Sequence, residues 1–308
     1  MSTRRGNSKI KLVAAGSVAL DSITTPFATR REELGGSLSY ACAAASLFTR
    51  VGMVGIVGSD FAARHLALYH RLGIDLTGLQ QVPGRTFRWA GIYEDDMINR
   101  RTLSTELNVF ETFSPCLPEN YREVPFLLLG NIAPSLQLMV LKQMRRPKFV
   151  VADTMDLWIK TTPVELRRVI RRTDALTLND AEARLLTGEH NLRRCAAAIM
   201  RWGPRYVVIK KGEHGALLFS RGCVFIVPAY PVKAVKDPTG AGDSFAGGFM
   251  GALAEGGCVT EESVRRALVV GSVVASFAVE AFSLRRLAAL SRPEIAERLG
   301  ELRRMVVI

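Results

Sequence analysis

The stretch DPTGAGDSFAGGFM, Asp237 to Met250, crowds small and acidic residues just ahead of an apolar run. Gly240, Ala241 and Gly242 allow a tight turn and leave backbone N–H groups bare. A helix that starts near Gly242 adds its dipole to those amides, and the turn becomes a cradle for an anion. Asp243 then falls in the first helical turn, beside the cradle. Two negative charges repel there, so this acid is a poor device for merely holding a phosphate. It is a good device for taking a proton from a hydroxyl that attacks a phosphoryl group, while the amides of Ala241 and Gly242 stabilise the developing charge. Read from these residues alone, an Asp cap after a glycine turn accounts for the pattern equally well.

Two other chemistries are excluded by inspection. A P-loop requires a Gly-Lys pair, and the chain contains no Gly-Lys dipeptide. GDSFA approximates a nucleophile elbow around Ser244, but that arrangement needs its histidine later in the chain. His65, His70, His190 and His214 all precede Ser244.

Positioning such a turn requires a rigid frame, and the hydrophobic pattern supplies one. Aliphatic runs predict strands over Lys11–Ala15, Val51–Val57, Phe126–Leu129, Phe149–Ala152, Ala175–Leu178, Tyr206–Lys210 and Ala216–Phe219. Helical patterns lie between them at Ser39–Phe48, Phe61–Arg71, Pro134–Gln143, Pro163–Arg171, Asp180–Thr187 and Leu192–Met200. Alternation of this kind predicts an α/β fold: a doubly wound, mainly parallel sheet with helices on both faces. The rhythm breaks from Thr86 to Phe110, where two alternating runs flank a polar turn near Glu94–Asn99. This is hairpin material, a small β-lid inserted near 86–110 in a single domain spanning 1–308, suited to covering a site or joining two copies.

With these pieces in order along the chain, the sequence resembles the PfkB (ribokinase-like) family of carbohydrate and nucleoside kinases. DPTGAGDSFAGGFM matches that family's second signature, and VGIVGSD (Val54–Asp60) resembles another of its segments. The resemblance implies an ATP-dependent phosphotransferase with Mg2+, Asp243 as base, and Gly240, Ala241 and Gly242 as anion hole. It implies an acceptor held by Asp21, at the end of GSVALD, and by the Gly35-Gly36 pair in LGGS. NDAE places Asn179 and Glu182 near the phosphates, Glu182 meeting Mg2+ through water; a solvated helical acid is the plain alternative. KKGEHGAL assigns Lys211, Gly212 and Gly215 to the nucleotide loop, with Gly271 on the helix bordering the adenine. Asp237 and Thr239 correspond to ligands of a monovalent cation such as K+, although Asp237 equally suits an Asx-type turn. Asp21 and the paired glycines favour a sugar acceptor of the ribokinase or fructokinase kind, with a nucleoside as the alternative. A non-catalytic scaffold is more remote, because Asp243 and its glycine turn are intact.

One position departs from the family pattern. Four residues after the second glycine, where relatives carry a substrate-binding Asn, this chain has Tyr40. A ring there suggests a substrate contact, or packing within its helix. In the lid Phe87, Trp89 and Tyr93 alternate along a strand, so Trp89 is a candidate to cover the acceptor. Asn131 and Asp153 follow buried strands, at the ends where doubly wound sheets bind ligands.

Composition narrows the setting. The net charge of +12 suits an anionic small molecule, and the basic residues are scattered as pairs without a run of five, so no nucleic-acid partner is expected. Five cysteines with no C-x-x-C pair predict reduced thiols and a cytoplasmic location. The apolar stretch Leu12–Leu20 is broken by Gly16 and Ser17 and reads as a buried strand, not a secretion signal. The most lipid-like run, Ala267–Val279, falls short of the about 20 residues that span a bilayer, so no membrane partner is expected. A homodimer through the β-lid completes the expectation.

Overall fold

Leucine and β-branched runs form the strands because their side chains fill both faces of a covered sheet. The computed structural model describes residues 9–306; residues 1–8 and 307–308, the ends of the expected 1–308 domain, lie outside the described residues. The strands are β1 (Leu12–Ala15), β2 (Ala19–Thr25), β3 (Ala28–Gly35), β4 (Val51–Gly58), β5 (Asp75–Val82), β6 (Phe87–Tyr93), β7 (Arg100–Glu106), β8 (Phe126–Leu129), β9 (Phe149–Asp153), β10 (Ala175–Asn179), β11 (Tyr206–Lys210), β12 (Ala216–Ser220) and β13 (Cys223–Val227). The helices are α1 (Ser37–Ser46), α2 (Ala63–Arg71), α3 (Pro134–Gln143), α4 (Asp156–Thr161), α5 (Pro163–Ile170), α6 (Asp180–Thr187), α7 (Leu192–Met200), α8 (Ala241–Gly256), α9 (Glu261–Ala278), α10 (Arg285–Ala289) and α11 (Arg292–Val306).

Nine strands make the main sheet in the order β13-β12-β11-β10-β9-β8-β1-β4-β5. All neighbours are parallel except β11–β12 and β12–β13. The period of two along each strand splits the core. Leu12, Ala14, Phe126 and Leu128 join α1, α8 and α9 on one face, whereas Val13, Ala15, Leu127 and Leu129 join α3, α5 and α7 on the other. From β1 the chain winds outward to β5 and then returns to β8 on the opposite side, so the winding reverses between β1 and β8. Helix α8 packs over both strands, which sets its N-terminus at the crevice where such sheets take ligands.

The small residues of α8 explain its closeness to its neighbours. A side chain at Gly247 would collide with the Ala41 backbone of α1, and Gly271 of α9 would meet the Phe245 carbonyl at 2.7 Å. Gly248 and Gly251 serve the same two contacts.

A second sheet, β3-β2-β6-β7, holds the lid. The expected hairpin is present as β6 and β7, but two earlier strands join it. Strand β2 runs parallel to β6 with Asp21 opposite Trp89, and β3 pairs antiparallel to β2. Asp21 therefore belongs to the lid sheet, not to the end of the first core strand. The reason the pattern hid this is chemical: ATRREELG is charged and largely exposed, and β5 is likewise mixed in polarity, so neither carries the continuous aliphatic run that marks a buried strand. Strand β13, CVFIV, is apolar throughout but sits at the sheet edge with Val224 and Ile226 exposed. Among the described residues no helix is long and apolar enough to cross a membrane, and all five cysteines are free.

Packing at Gly251 is directly testable. Its added Cβ would lie 2.8 Å from the Ala45 Cα, so Gly251→Val should destabilise by about 1–3 kcal/mol or more. At Gly256 an added Cβ meets nothing within 4 Å, and Gly256→Ala should hold or gain stability. Thermal melts of both variants check the pair.

Candidate active site

Gly240 caps α8 in the left-handed conformation, φ 74°. Its carbonyl accepts from the Ser244 N–H at 2.8 Å and from the Ser244 hydroxyl at 2.7 Å, which pins the turn. The Ala241 N–H donates to the Pro238 carbonyl at 3.2 Å and is engaged in the turn itself. Helix geometry leaves the N–H groups of Gly242 and Asp243 without an intrahelical acceptor, and the Asp243 N–H is taken by its own carboxylate, so that of Gly242 is left for a ligand. Of the two amides expected to form an anion hole, that of Ala241 is engaged in the turn. Before it, Asp237 forms the Asx turn: its Oδ1 accepts from the Thr239 N–H at 2.9 Å and its Oδ2 from the Ser283 N–H at 3.4 Å. Thr239 donates its hydroxyl to the Tyr93 oxygen at 3.2 Å, tying the turn to the lid.

Asp243 lies in the first turn of α8, as expected. Burial and the nearby Asp153 push its pKa up to about 6, against the pull of Lys210 and Arg100. Such a carboxylate is ionised at neutral pH yet basic enough to accept a proton. Asp21 is pushed further, to about 7, mainly by burial; the Gly36 N–H lowers it, and the charges of Asp237 and Asp243 raise it. A side chain at Gly35 would collide with the Asp21 carboxylate, and Gly36 has φ 84°, so both glycines are needed to bring β3 against this acid. Asp21 and Asp243 therefore converge on one space from the lid and from the core.

Tyr40 is wholly buried on α1, and its ring occupies the space beside Gly240 that a side chain there would need. Its hydroxyl has no hydrogen-bond partner. Burial, then the charges of Asp237 and Asp21, hold its pKa well above the usual phenol range. Trp89 is half-buried, donates its indole N–H to the Thr102 hydroxyl at 3.3 Å and lies under the Arg100 guanidinium.

At the ends of β9, β10 and β11 lies a second charged group. Lys210 pairs with both oxygens of Asp153, at 3.1 and 3.2 Å. Asn179 caps α6 in a reciprocal box with Glu182, each link 2.7 Å. Burial raises the Glu182 pKa to about 7, with Lys210 drawing it down. Its Oε2 is spent on the cap, which leaves Oε1 for a ligand. Among the described residues no three His, Cys, Asp or Glu side chains form a metal cage. That donor set fits Mg2+ held mainly by water and phosphate oxygens, with Glu182 beside it.

Several expected residues have other duties. Gly271 is the contact point between α9 and α8. Asn131 accepts from the Trp158 indole at 2.8 Å and places its amide on the Met155 sulfur, fastening α4. Asp153 serves Lys210. A side chain at Gly215 would collide with the Val227 carbonyl, so that glycine shapes the β11–β12 turn. Lys211 donates its N–H to Gly215 at 2.7 Å, and Gly212, φ 55°, is exposed with open space above it. Lys210 and Arg100 were not foreseen, and Tyr93, expected only as one of the alternating lid aromatics, accepts from Thr239 in the turn. A signal existed for Lys210: strand alternation puts it on the face of Tyr206 and Val208, towards α8, and puts Lys211 on the other.

Comparison with known proteins agrees with this geometry. The pfkB family carbohydrate kinases match residues 17–287. The chain is 30% identical over 266 residues to the cytidine kinase of Thermococcus kodakarensis, covering 84% of this chain and 94% of that protein. It is 25% identical over 291 residues to the ribokinase of Haemophilus influenzae, covering 87% and 92%. Its fold matches the nucleoside kinase of Burkholderia thailandensis in complex with inosine with a TM-score of 0.76, at 20% identity and over 94% and 98% of the two chains. Kinases of this kind use ATP with a divalent cation. Every residue of the site lies inside the matched span, and the chain belongs to the PfkB family of carbohydrate kinases.

Proposed function

We propose that this kinase transfers the γ-phosphoryl group of ATP to a hydroxymethyl group on the ribose of a nucleoside. The observation that carries the reading is the convergence of Asp21 and Asp243, with the charge of Asp243 raising the pKa of Asp21, beside the free amide of Gly242. Asp21 with the Gly35-Gly36 turn binds acceptor hydroxyls. Asp243 takes the proton of the attacking hydroxyl; the oxygen of that hydroxyl bonds the γ-phosphorus as the bond to the β-phosphate oxygen breaks, and ADP leaves with that electron pair. The Gly242 N–H steadies the charge on the transferring group. Mg2+, when bound, supplies positive charge between the phosphate oxygens. The nucleoside is favoured by the 30% identity to a cytidine kinase along most of both chains, and by the half-buried Trp89 opposite Asp21. A free sugar is the second reading, favoured by the partnerless Tyr40 hydroxyl, which a small polyol would satisfy. The buried Asp237 carboxylate supports a K+ ion beside the turn, for which activity in potassium against sodium buffers is the test.

Cytidine, adenosine, inosine, ribose and fructose should be assayed with ATP, with Asp243→Asn as the inactive reference. A nucleoside should win, and Trp89→Ala should cut its kcat/KM by about 1–3 kcal/mol, the worth of base–aromatic stacking, relative to a sugar. Equal losses for both classes, or sugars turned over best, would give the second reading.

The acid limb of kcat/KM follows from the two carboxylates. Both must be ionised, so activity should fall as pH drops through the range from about 7 to about 6, in two steps that belong to the pair. Arg100 lowers both groups, so Arg100→Gln should move the limb to higher pH. A limb near the ordinary carboxylate range would contradict the assignment.

The reading includes a homodimer through the lid. Strand β7 is an open sheet edge, exposed at all seven residues and bearing Leu103 at 56% exposure. Light scattering should give twice the chain mass, reduced towards the monomer by Leu103→Lys; a monomeric wild type would sink the idea.

A further inference from the structure

Lys210 is a partly buried cation that neither the base, the amide nor the acceptor residues account for. We propose that it is the cationic arm of the anion hole: its ammonium contacts the phosphoryl group in transfer, and Asp153 is the counter-ion that holds it there between turnovers. The inference rests on Gly242 and Asp243 as the reacting centre.

Placement carries the argument. Lys210 ends β11 on the face towards α8, and a Cβ on Gly242 would stand 3.1 Å from its Nζ. The ammonium therefore overhangs the one amide that the turn leaves free. Among the described residues its hydrogen-bond partner is Asp153 alone. An ammonium has three N–H donors and Asp153 engages two, so one remains for a ligand. Asp153 in turn does not depend on the lysine for all its bonds. Its Oδ1 also accepts from the Thr177 hydroxyl at 3.0 Å and the Thr154 N–H at 3.1 Å. A carboxylate held from three sides forms a fixed seat, and the lysine on it is aimed without a large entropic cost.

The charge is secure. Burial works against the ammonium, but Asp153, Glu182 and Asp243 outweigh it and raise its pKa. Lys210 thus stays protonated where a phosphoryl group arrives with several negative oxygens. A compact point charge suits a group that moves during the reaction better than a bidentate fork would. Arg100 reaches Asp243 from the lid, whereas Lys210 is anchored in the main sheet.

The test separates a phosphoryl contact from a mere counter-ion. Calorimetric titration with MgATP and MgADP is run on wild type, Lys210→Met and Lys210→Arg. Lys210→Met should weaken MgATP about tenfold or more, the worth of a charged hydrogen bond, while MgADP changes little. Its kcat on the fastest acceptor should fall by about 10²–10³-fold, as for loss of an oxyanion-hole donor, and Lys210→Arg should restore part of both. Because Lys210→Met strands a buried carboxylate and can unfold the chain, Asp153→Asn/Lys210→Met is the second variant. It should recover the melting temperature without recovering the preference for MgATP. Equal losses for the two nucleotides, or a double variant that regains the preference, would make Lys210 a structural counter-ion and overturn the proposal. A wild type that binds neither nucleotide would instead overturn the functional reading.

Discussion

The contact of α8 with α1, backbone against backbone, is the constraint on which the site depends. At Gly247 the space of a side chain is filled by the Ala41 backbone, and at Gly251 by that of Ala45. These contacts let α8 lie low over β1 and β8, and its first turn reaches the crevice at the strand ends. They also bring Tyr40 of α1 against Gly240, so the helix that braces the turn supplies part of its wall. A bulkier α8 would still be a helix, but its N-terminus would stand away from Lys210 and Asp21.

Burial then sets the chemistry. Asp21, Asp237, Asp243 and Glu182 all have raised pKa values, and burial is the first cause in each case. Acids held this way oppose stability once they ionise. For Asp21 the folded pKa lies above the unfolded value, so the folded state holds its proton more tightly, and stability falls as pH rises towards about 7. A fold selected for stability alone would replace these acids with amides. Their retention in one crevice, opposed by Lys210 and Arg100, is what a phosphoryl-transfer site requires: negative groups ready to take a proton, and cations placed for the phosphate.

The lid contributes more than a cover. Its sheet is assembled from residues 19–35 and 87–106, so Asp21, the acid proposed for the acceptor, is carried on the same layer as Trp89 and Tyr93. Tyr93 bonds Thr239 in the anion turn, while Ser283, beyond α9, bonds both Asp237 and the Leu34 carbonyl of β3. The lid and the turn are thereby linked through two separate hydrogen-bonded paths.

By itself the amino-acid order determined the parallel core, since five-residue runs such as FVVAD and YVVIK can satisfy their hydrophobicity only in a sheet covered on both faces. It also determined the turn and its acid, because glycine spacing and a helix start are local properties. Helices α3, α6 and α7 were legible to the residue from their helical pattern. The four-stranded lid was not legible, because β2 and β3 are charged or mixed and the partner that joins β2 to the hairpin, β6, lies far along the chain. Nor were the duties of Gly271, Asn131 and Asp153, which follow from who stands opposite them. Only the tertiary structure decided that Lys210, and not Lys211, meets the anion turn: a lysine pair at a strand end is symmetric in sequence. The pleat, which sends successive side chains to opposite faces, breaks that symmetry only once α8 covers one of them.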